Sequence, residues 1–236
     1  MTTAAATLTW ERVPGQTHEI ALGADGSAWC LGTGEWPGGG YSIHRWNGID
    51  WDHVEGAAMR LAAGPDGALW AINRAHQVLR NSGAGWTVLP GLAREIAIGA
   101  DGSVWCLCTS ISPSIDSTIH RWNGHDWVHV EGAAVKIAVG PDGEPWIVNA
   151  AGSISRRQDD GWKPMPGLAR EIAVGADGSV WCLCRSVHPS VDSTIHLWNG
   201  FDWTHVPGAA VKIAAGAPGA VWIANSELHI SRAVRS

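Results

Sequence analysis

Six tryptophans fix what this chain can become. Trp10, Trp51, Trp86, Trp127, Trp162 and Trp203 each open a phrase of the type "WERVPG", "WDHVEG" or "WTVLPG". They follow one another at intervals of 41, 35, 41, 35 and 41 residues, so long and short units alternate and the true repeat is a doublet of 76. Three doublets nearly exhaust the 236 residues. A phrase repeated this way is either a repeated chemical site or a repeated building block. A period of 20–50 residues is the mark of solenoids, propellers and arrays.

Every unit begins with a short apolar segment, "IALG", "LAAG", "IAIG", "IAVG", "IAVG" or "IAAG", with Ala second and Gly last. A turn follows, usually "ADG" or "PDG", and then a segment carrying Trp29, Trp70, Trp105, Trp146, Trp181 or Trp222. A third segment such as "TIHRWN" leads to the anchor tryptophan of the fourth. These segments are short, rich in Val, Ile and Trp, and bounded by Gly, Pro, Asn and Asp, which is the pattern of strands. "VWCLC" alternates as a pleated ribbon does. No stretch repeats apolar residues at helical spacing over three turns.

The expected fold is therefore all-β: a six-bladed β-propeller of four-stranded antiparallel blades in three doublets, forming a single domain over residues 1–236. The C-terminal unit supplies only three strands, and "LTWERV" near the N-terminus is an orphan. Leu8–Val13 completing the last blade would pair both ends and remove two free edges. Ala and Gly in the first strands suit a crowded axis, and the tryptophans fill the wedges between blades. Burying one at ~25 cal/mol per Å² over roughly 150–250 Å² contributes at most about 4–6 kcal/mol.

The unit "W-x-x-V-x-G…I-A-x-G-x-D-G-x-x-W" resembles the tectonin repeat, in six copies along the whole chain. The resemblance to tectonin and tachylectin-type proteins implies a six-bladed β-propeller lectin. It implies glycan partners on bacterial or other foreign surfaces, O-methylated sugars in some members, a role in innate defence, and agglutination through several sites or a homo-oligomer. This chain departs from a uniform ring. Its odd units carry long second-to-third-strand loops, such as "GTGEWPGGGYS" and "SISPSIDST", and its even units short ones, such as "RAHQ" and "AAGS". The surface is therefore expected to be threefold, with three or six sites.

Composition narrows the function. The formal net charge is −6, with 16% charged residues, so nothing supplies the basic surplus of a generic nucleic-acid binder. No run approaches the ~18 apolar residues of a membrane span. The N-terminal stretch lacks the charged and apolar regions of a secretory signal, which favours the cytoplasm with unconventional export left open. The recurring Asp of the DG turn could be a calcium ligand, but Asp-Gly is also a strong hairpin signal, and "GAPGAVW" keeps the turn with Pro218 in place of Asp. Five cysteines without a C-x-x-C make zinc a weak reading. Buried reduced thiols fit better. No cofactor and no metal is expected.

The candidate carbohydrate site is one rim, where the turns before the first strands and the loops after the second strands meet. It gathers Glu19, Arg60, Asn73, Arg94, Glu95, Asp116, Lys136, Asn149, Arg170, Glu171, Asp192, Lys212 and Asn225. Planar polar side chains suit sugar hydroxyls, and small residues leave room for a methyl group. The bland alternative is a solvated rim whose Lys–Glu pairs contribute ~0–1 kcal/mol. Trp36, without a counterpart in other units, could stack on a sugar, contact another subunit, or cover its own loop. The histidines repeat with the doublet and read as structural. An enzyme is not expected: there is no G-x-S-x-G, H-E-x-x-H or Walker loop, and the sole Tyr, Tyr41, sits in the irregular first loop. A non-enzymatic lectin is the preferred reading and a protein-interaction platform the alternative. The near-identical loops of the second and third doublets favour a repeated small ligand over one large partner.

Overall fold

The computed structural model describes residues 8–37, 39–109, 116–184 and 192–235. Every regular element among them is a strand. β1 (Leu8–Gln16) stands first. β2 (Glu19–Leu22), β3 (Ala28–Glu35), β4 (Tyr41–Trp46) and β5 (Trp51–Ala58) form one antiparallel sheet. β6 (Arg60–Ala63), β7 (Leu69–Ile72), β8 (Gln77–Asn81), β9 (Trp86–Ile98), β10 (Val104–Cys108), β11 (Ser117–Trp122) and β12 (Trp127–Ala134) form a second. β13 (Lys136–Val139), β14 (Pro145–Val148), β15 (Ser153–Gln158), β16 (Gly161–Val174), β17 (Val180–Cys184), β18 (Ser193–Trp198) and β19 (Trp203–Ala210) form a third. β20 (Lys212–Ala215), β21 (Val221–Ala224) and β22 (His229–Arg235) form the last, with β1 on its edge.

The seven-stranded sheets arise because β9 and β16 each serve two units. The first part of β9 pairs with β8 and its second part with β10. Units of four strands are therefore preserved, although two of the expected strand breaks are missing. At three other junctions a single residue, Met59, Val135 or Val211, interrupts the chain, and its amide donates back to Ile72, Val148 or Ala224; between β1 and β2 two residues, Thr17 and His18, interrupt it. β1 pairs antiparallel with β22 from Leu8 to Gln16, as the orphan-strand argument requires.

The first strands of the units succeed one another in space: β2 lies against β6, β6 against β9, β9 against β13, β13 against β16, β16 against β20, and β20 against β2. Six apolar clusters occupy the six interfaces. That between the last unit and the first holds Val13, Ile20, Ala28, Ala214, Trp222 and Ile230. Trp29, Trp70, Trp105, Trp146, Trp181 and Trp222 are all buried, at 1–7% exposure. Between the first strands lies a space of about 120 Å³ lined by Ala21, Ala62, Ala97, Ala138, Ala173 and Ala214. Each also belongs to one of the six apolar clusters, so a larger side chain there would press on the tryptophan-bearing interface of its unit.

The anchor tryptophans explain the repeated phrase. Each indole Nε1 donates to a carbonyl in the outer strand of the preceding unit: Trp86 to Glu55 at 2.7 Å, Trp127 to Pro90 at 2.8 Å, Trp162 to Glu131 at 2.6 Å and Trp203 to Pro166 at 2.8 Å. Trp10 repeats the bond to Pro207 at 2.7 Å and Trp51 to Pro14 at 2.8 Å, so it continues across the junction of first and last units. The accepting carbonyl is followed by glycine. Gly56 has φ +133°, and a Cβ there would lie 2.6 Å from Trp86 Nε1. A side chain would meet both a disfavoured backbone and the neighbouring indole. Trp46, Trp122 and Trp198 meet Trp51, Trp127 and Trp203 at 5.1–5.2 Å with interplanar angles of 58–61°, in odd units alone.

The DG turns are structural. Asp101 Oδ1 accepts from the Ser103 amide at 3.0 Å, and Asp25, Asp66, Asp142 and Asp177 do the same two residues on. The glycine alone takes positive φ, as in Gly102 at +85°.

Candidate functional site

The residue that opens each first strand is acidic in odd units and basic in even ones. The strand arrangement brings all six together as a closed circuit of ion pairs. Arg60 reaches Glu19 at 3.8 Å and Glu95 at 3.2 Å. Lys136 reaches Glu95 at 2.8 Å and Glu171 at 3.2 Å. Lys212 reaches Glu171 at 3.6 Å and Glu19 at 3.0 Å. Their side chains are 14–32% exposed. The solvated-rim alternative therefore fails for these six, because they are largely withdrawn from water at the mouth of the alanine-lined space.

Burial alone would raise the Glu95 carboxyl, but Lys136 and Arg60 outweigh it and hold it down at about 2. Glu171 is likewise pushed up by burial and brought below its ordinary value by Lys136 and Lys212. Lys136 is raised because Glu171 and Glu95 overcome its desolvation. Arg60 is raised chiefly by Glu95 and Glu19. Three carboxylates and three cations balance, so the circuit is neutral while fully ionised.

Around this circuit lie two pockets. One of about 510 Å³ runs from the second unit over the third, lined by Met59, Asn73, Arg74, His76, Arg94 and Ser117 with Arg60, Glu95 and Lys136 at its inner end. Another of about 490 Å³ is lined by His18, Arg170, Val211, Ser226 and Leu228 together with Arg60, Lys136, Glu171 and Lys212. Arg94, Arg170 and His18 occupy the same repeat position, directly before the circuit's carboxylate. Arg94 and Arg170 line these pockets, and so do His18, Arg74 and His76, which the sequence did not single out. The doublet alignment carries the signal for His18; Arg74 and His76 lie in a loop without a repeated residue type.

The remaining candidates are engaged in holding loops. Asn149 Oδ1 accepts from the Ser153 amide at 2.9 Å, Asn225 Oδ1 from His229 at 2.9 Å and Asn73 Oδ1 from Gln77 at 2.9 Å. Asp116 Oδ1 accepts from the Ala150 amide and Asp192 Oδ1 from the Ser226 amide, both at 2.6 Å, tying each odd unit to the next even one. In the first doublet Arg74 Nη2 and Glu35 Oε1, 2.7 Å apart, make the corresponding tie. Trp36 is half-buried on His53 of its own unit, with ring centroids 4.4 Å apart.

No three or more His, Cys, Asp or Glu side chains among the described residues are grouped to hold a metal ion. The arrangement offers two cation-bordered grooves at matching repeat positions, each fixed at one end to the ionic hub.

These features define an all-β, propeller-like repeat protein. The chain belongs to the tectonin family: the tectonin domain matches residues 57–232. No curated protein matches the sequence. Among solved structures, it is similar to YCF48 bound to a D1 peptide (15% identity, TM-score 0.58, covering 93% of this chain and 78% of that one). A structural-genomics protein of unknown function from Bacteroides thetaiotaomicron is similar at 10% identity and TM-score 0.67, covering 98% and 77%. YCF48 from Cyanidioschyzon merolae is similar at 14% identity and TM-score 0.54, covering 98% and 88%. At these identities the likeness speaks to the fold.

Proposed function

We propose that the chain is a single-domain, six-bladed propeller closed by β1, and that it acts as a non-enzymatic lectin. The closure is supported by the indole-to-carbonyl circuit, which reads the same at Trp10 and Trp51 as inside the chain. The single observation that carries the binding reading is a groove beside the ionic hub built twice from matching repeat positions, Met59, Arg74 and Arg94 in one and Val211, Ser226 and His18 in the other. Membership of a lectin-like family supports the same reading. Guanidinium and backbone groups would donate to sugar hydroxyls, while Met59 and Val211 give apolar contact. Several weak equivalent grooves on one rigid body raise avidity by ~10²–10⁴ on a surface that repeats its sugar. Bacterial or other foreign glycans, O-methylated ones included, are the proposed ligands.

A glycan array that includes methylated sugars tests this. Selective binding that an Arg94→Ala, Arg170→Ala pair weakens at least tenfold is expected; full binding by that pair would move the site off these grooves. Glu95 and Glu171 are poorer probes, because they also hold the hub. A second reading, a protein-interaction platform, has one observation in its favour: the similar YCF48 structure contains a bound peptide. An array with no glycan hit would favour it.

A further inference from the structure

The five cysteines are not equivalent. Cys30, Cys106 and Cys182 are buried at 3%, 1% and 1% exposure, whereas Cys108 and Cys184 at the ends of β10 and β17 are half-buried. All five are free thiols. Cys106 and Cys108 share one face of β10, since side chains two apart along a strand point the same way. His120 is paired with Cys106 in register and His129 with His120. Around Cys108 Sγ three polar groups converge: the Cys106 thiol and the Thr118 hydroxyl, each as a hydrogen-bond partner, and His120 Nδ1 at 3.1 Å. The equivalent threonine of the next doublet, Thr194, is turned to His196 Nε2 at 3.1 Å instead. In the first doublet Gly32 takes the cysteine's place.

We propose that Cys108 is a modification site, a nucleophilic thiolate open to soft electrophiles and hydroperoxides, with Thr118 and His120 as its positioning residues. His120 is lowered by burial and, less, by the neighbouring His129, against a backbone hydrogen bond at Thr118 that raises it, so the ring stands at Cys108 as a hydrogen-bond partner and the thiol proton leaves to solvent. The Cys106 thiol, donating to Cys108, is the first cause of a thiol lowered to about 7. Burial opposes it and Thr118 adds to it. Cys106 itself is raised by that same bond and by burial, and Cys30 by burial to about 12. The other titratable neighbour is His76, whose Nδ1 stands 3.3 Å from the Ala93 carbonyl; Ala93 is the register partner of Cys108, and the charged Arg94 follows it.

In the oxidative step the thiolate sulfur attacks one oxygen of a hydroperoxide. The S–O bond forms, the O–O bond breaks, and the leaving oxygen departs as an alcohol or water after taking a proton from solvent. Sulfur loses two electrons and the peroxide gains them, giving a sulfenic acid. His76 and Arg94 line the 510 Å³ groove, so the modified sulfur stands beside the candidate binding surface. The inference is independent of what that groove binds.

Pulse alkylation with iodoacetamide, read at each cysteine by mass spectrometry, tests it. A thiolate fraction raised about 15-fold at pH 7, offset about fivefold by weaker nucleophilicity, gives native Cys108 a rate about threefold above the same cysteine in urea. Its pH–rate profile inflects near 7, and both Thr118→Val and Cys106→Ala move that inflection upward. Treatment with tert-butyl hydroperoxide followed by dimedone tags Cys108 ahead of the other four. Native labelling of Cys108 slower than in urea overturns the proposal. So does an inflection near 9 that neither variant moves, or equal dimedone tagging of all exposed thiols.

Discussion

Glu95→Gln is the sharpest probe of the ionic hub. The substitution keeps shape and removes one charge, leaving Arg60 and Lys136 with one carboxylate each, Glu19 and Glu171 respectively. A carboxyl brought from 4.5 to about 2 by its surroundings stabilises the folded state by about 3 kcal/mol, at ~1.4 kcal/mol per unit. The one-sided breaking of a buried pair costs about 3–5 kcal/mol, which agrees. In urea unfolding at pH 7 the variant should therefore lose about 3 kcal/mol, and its Tm should fall by about 6–12 °C. The sign with pH follows from the lowered value: the contribution is complete above the unfolded carboxyl's pKa and disappears as pH falls through about 2. The gap between wild type and Glu95→Gln should thus narrow steadily from pH 5 to pH 2. It should also resist 1 M salt, because buried pairs are little screened. A gap under about 1 kcal/mol at pH 7 would match an exposed pair and refute the reasoning, as would a gap that ignores pH.

Trp127→Phe removes the Nε1 bond to the Pro90 carbonyl and part of a half-buried ring. Urea unfolding should show a loss of about 1–3 kcal/mol; no loss would mean that the bond is ornamental to the interface. Gly56→Ala should cost about 1–3 kcal/mol, combining backbone strain with overlap on Trp86. Gly48→Ala, at φ +104° but with nothing within 4 Å of the new Cβ, should cost less in the same assay. Equal losses would remove the indole from the explanation.

The repeat was legible in the chain because its causes are local and chemical. An indole that must reach a neighbour's carbonyl fixes the Trp, the spacing and the following Gly together, and that trio survives in all six copies. β1 was legible as a partner for the last unit because an unpaired strand needs an edge to pair with. The hub was half legible. Glu and Arg or Lys alternate plainly down the first strands, but only the tertiary arrangement reveals that the six meet one another instead of pointing to water. Asn73, Asn149 and Asn225 each close their own short loop, accepting from the amide four residues on, a local pattern that the sequence could have disclosed. Asp116 and Asp192 fasten neighbouring units, a role set by amides 34 residues away and hidden from any local pattern. His120 stands against Cys108 whereas His196 is bonded to Thr194, a difference that near-identical sequence phrases cannot show.

Native-state hydrogen exchange of the β1 amides addresses the head-to-tail closure most directly. If Leu8–Gln16 completes the last unit and carries the Trp10 bond onward, those amides paired with β22 should open only with global unfolding, as slowly as the amides of β12. Exchange from β1 at the rate of a frayed terminus, while β12 stays protected, would mean that the ring is not held shut there.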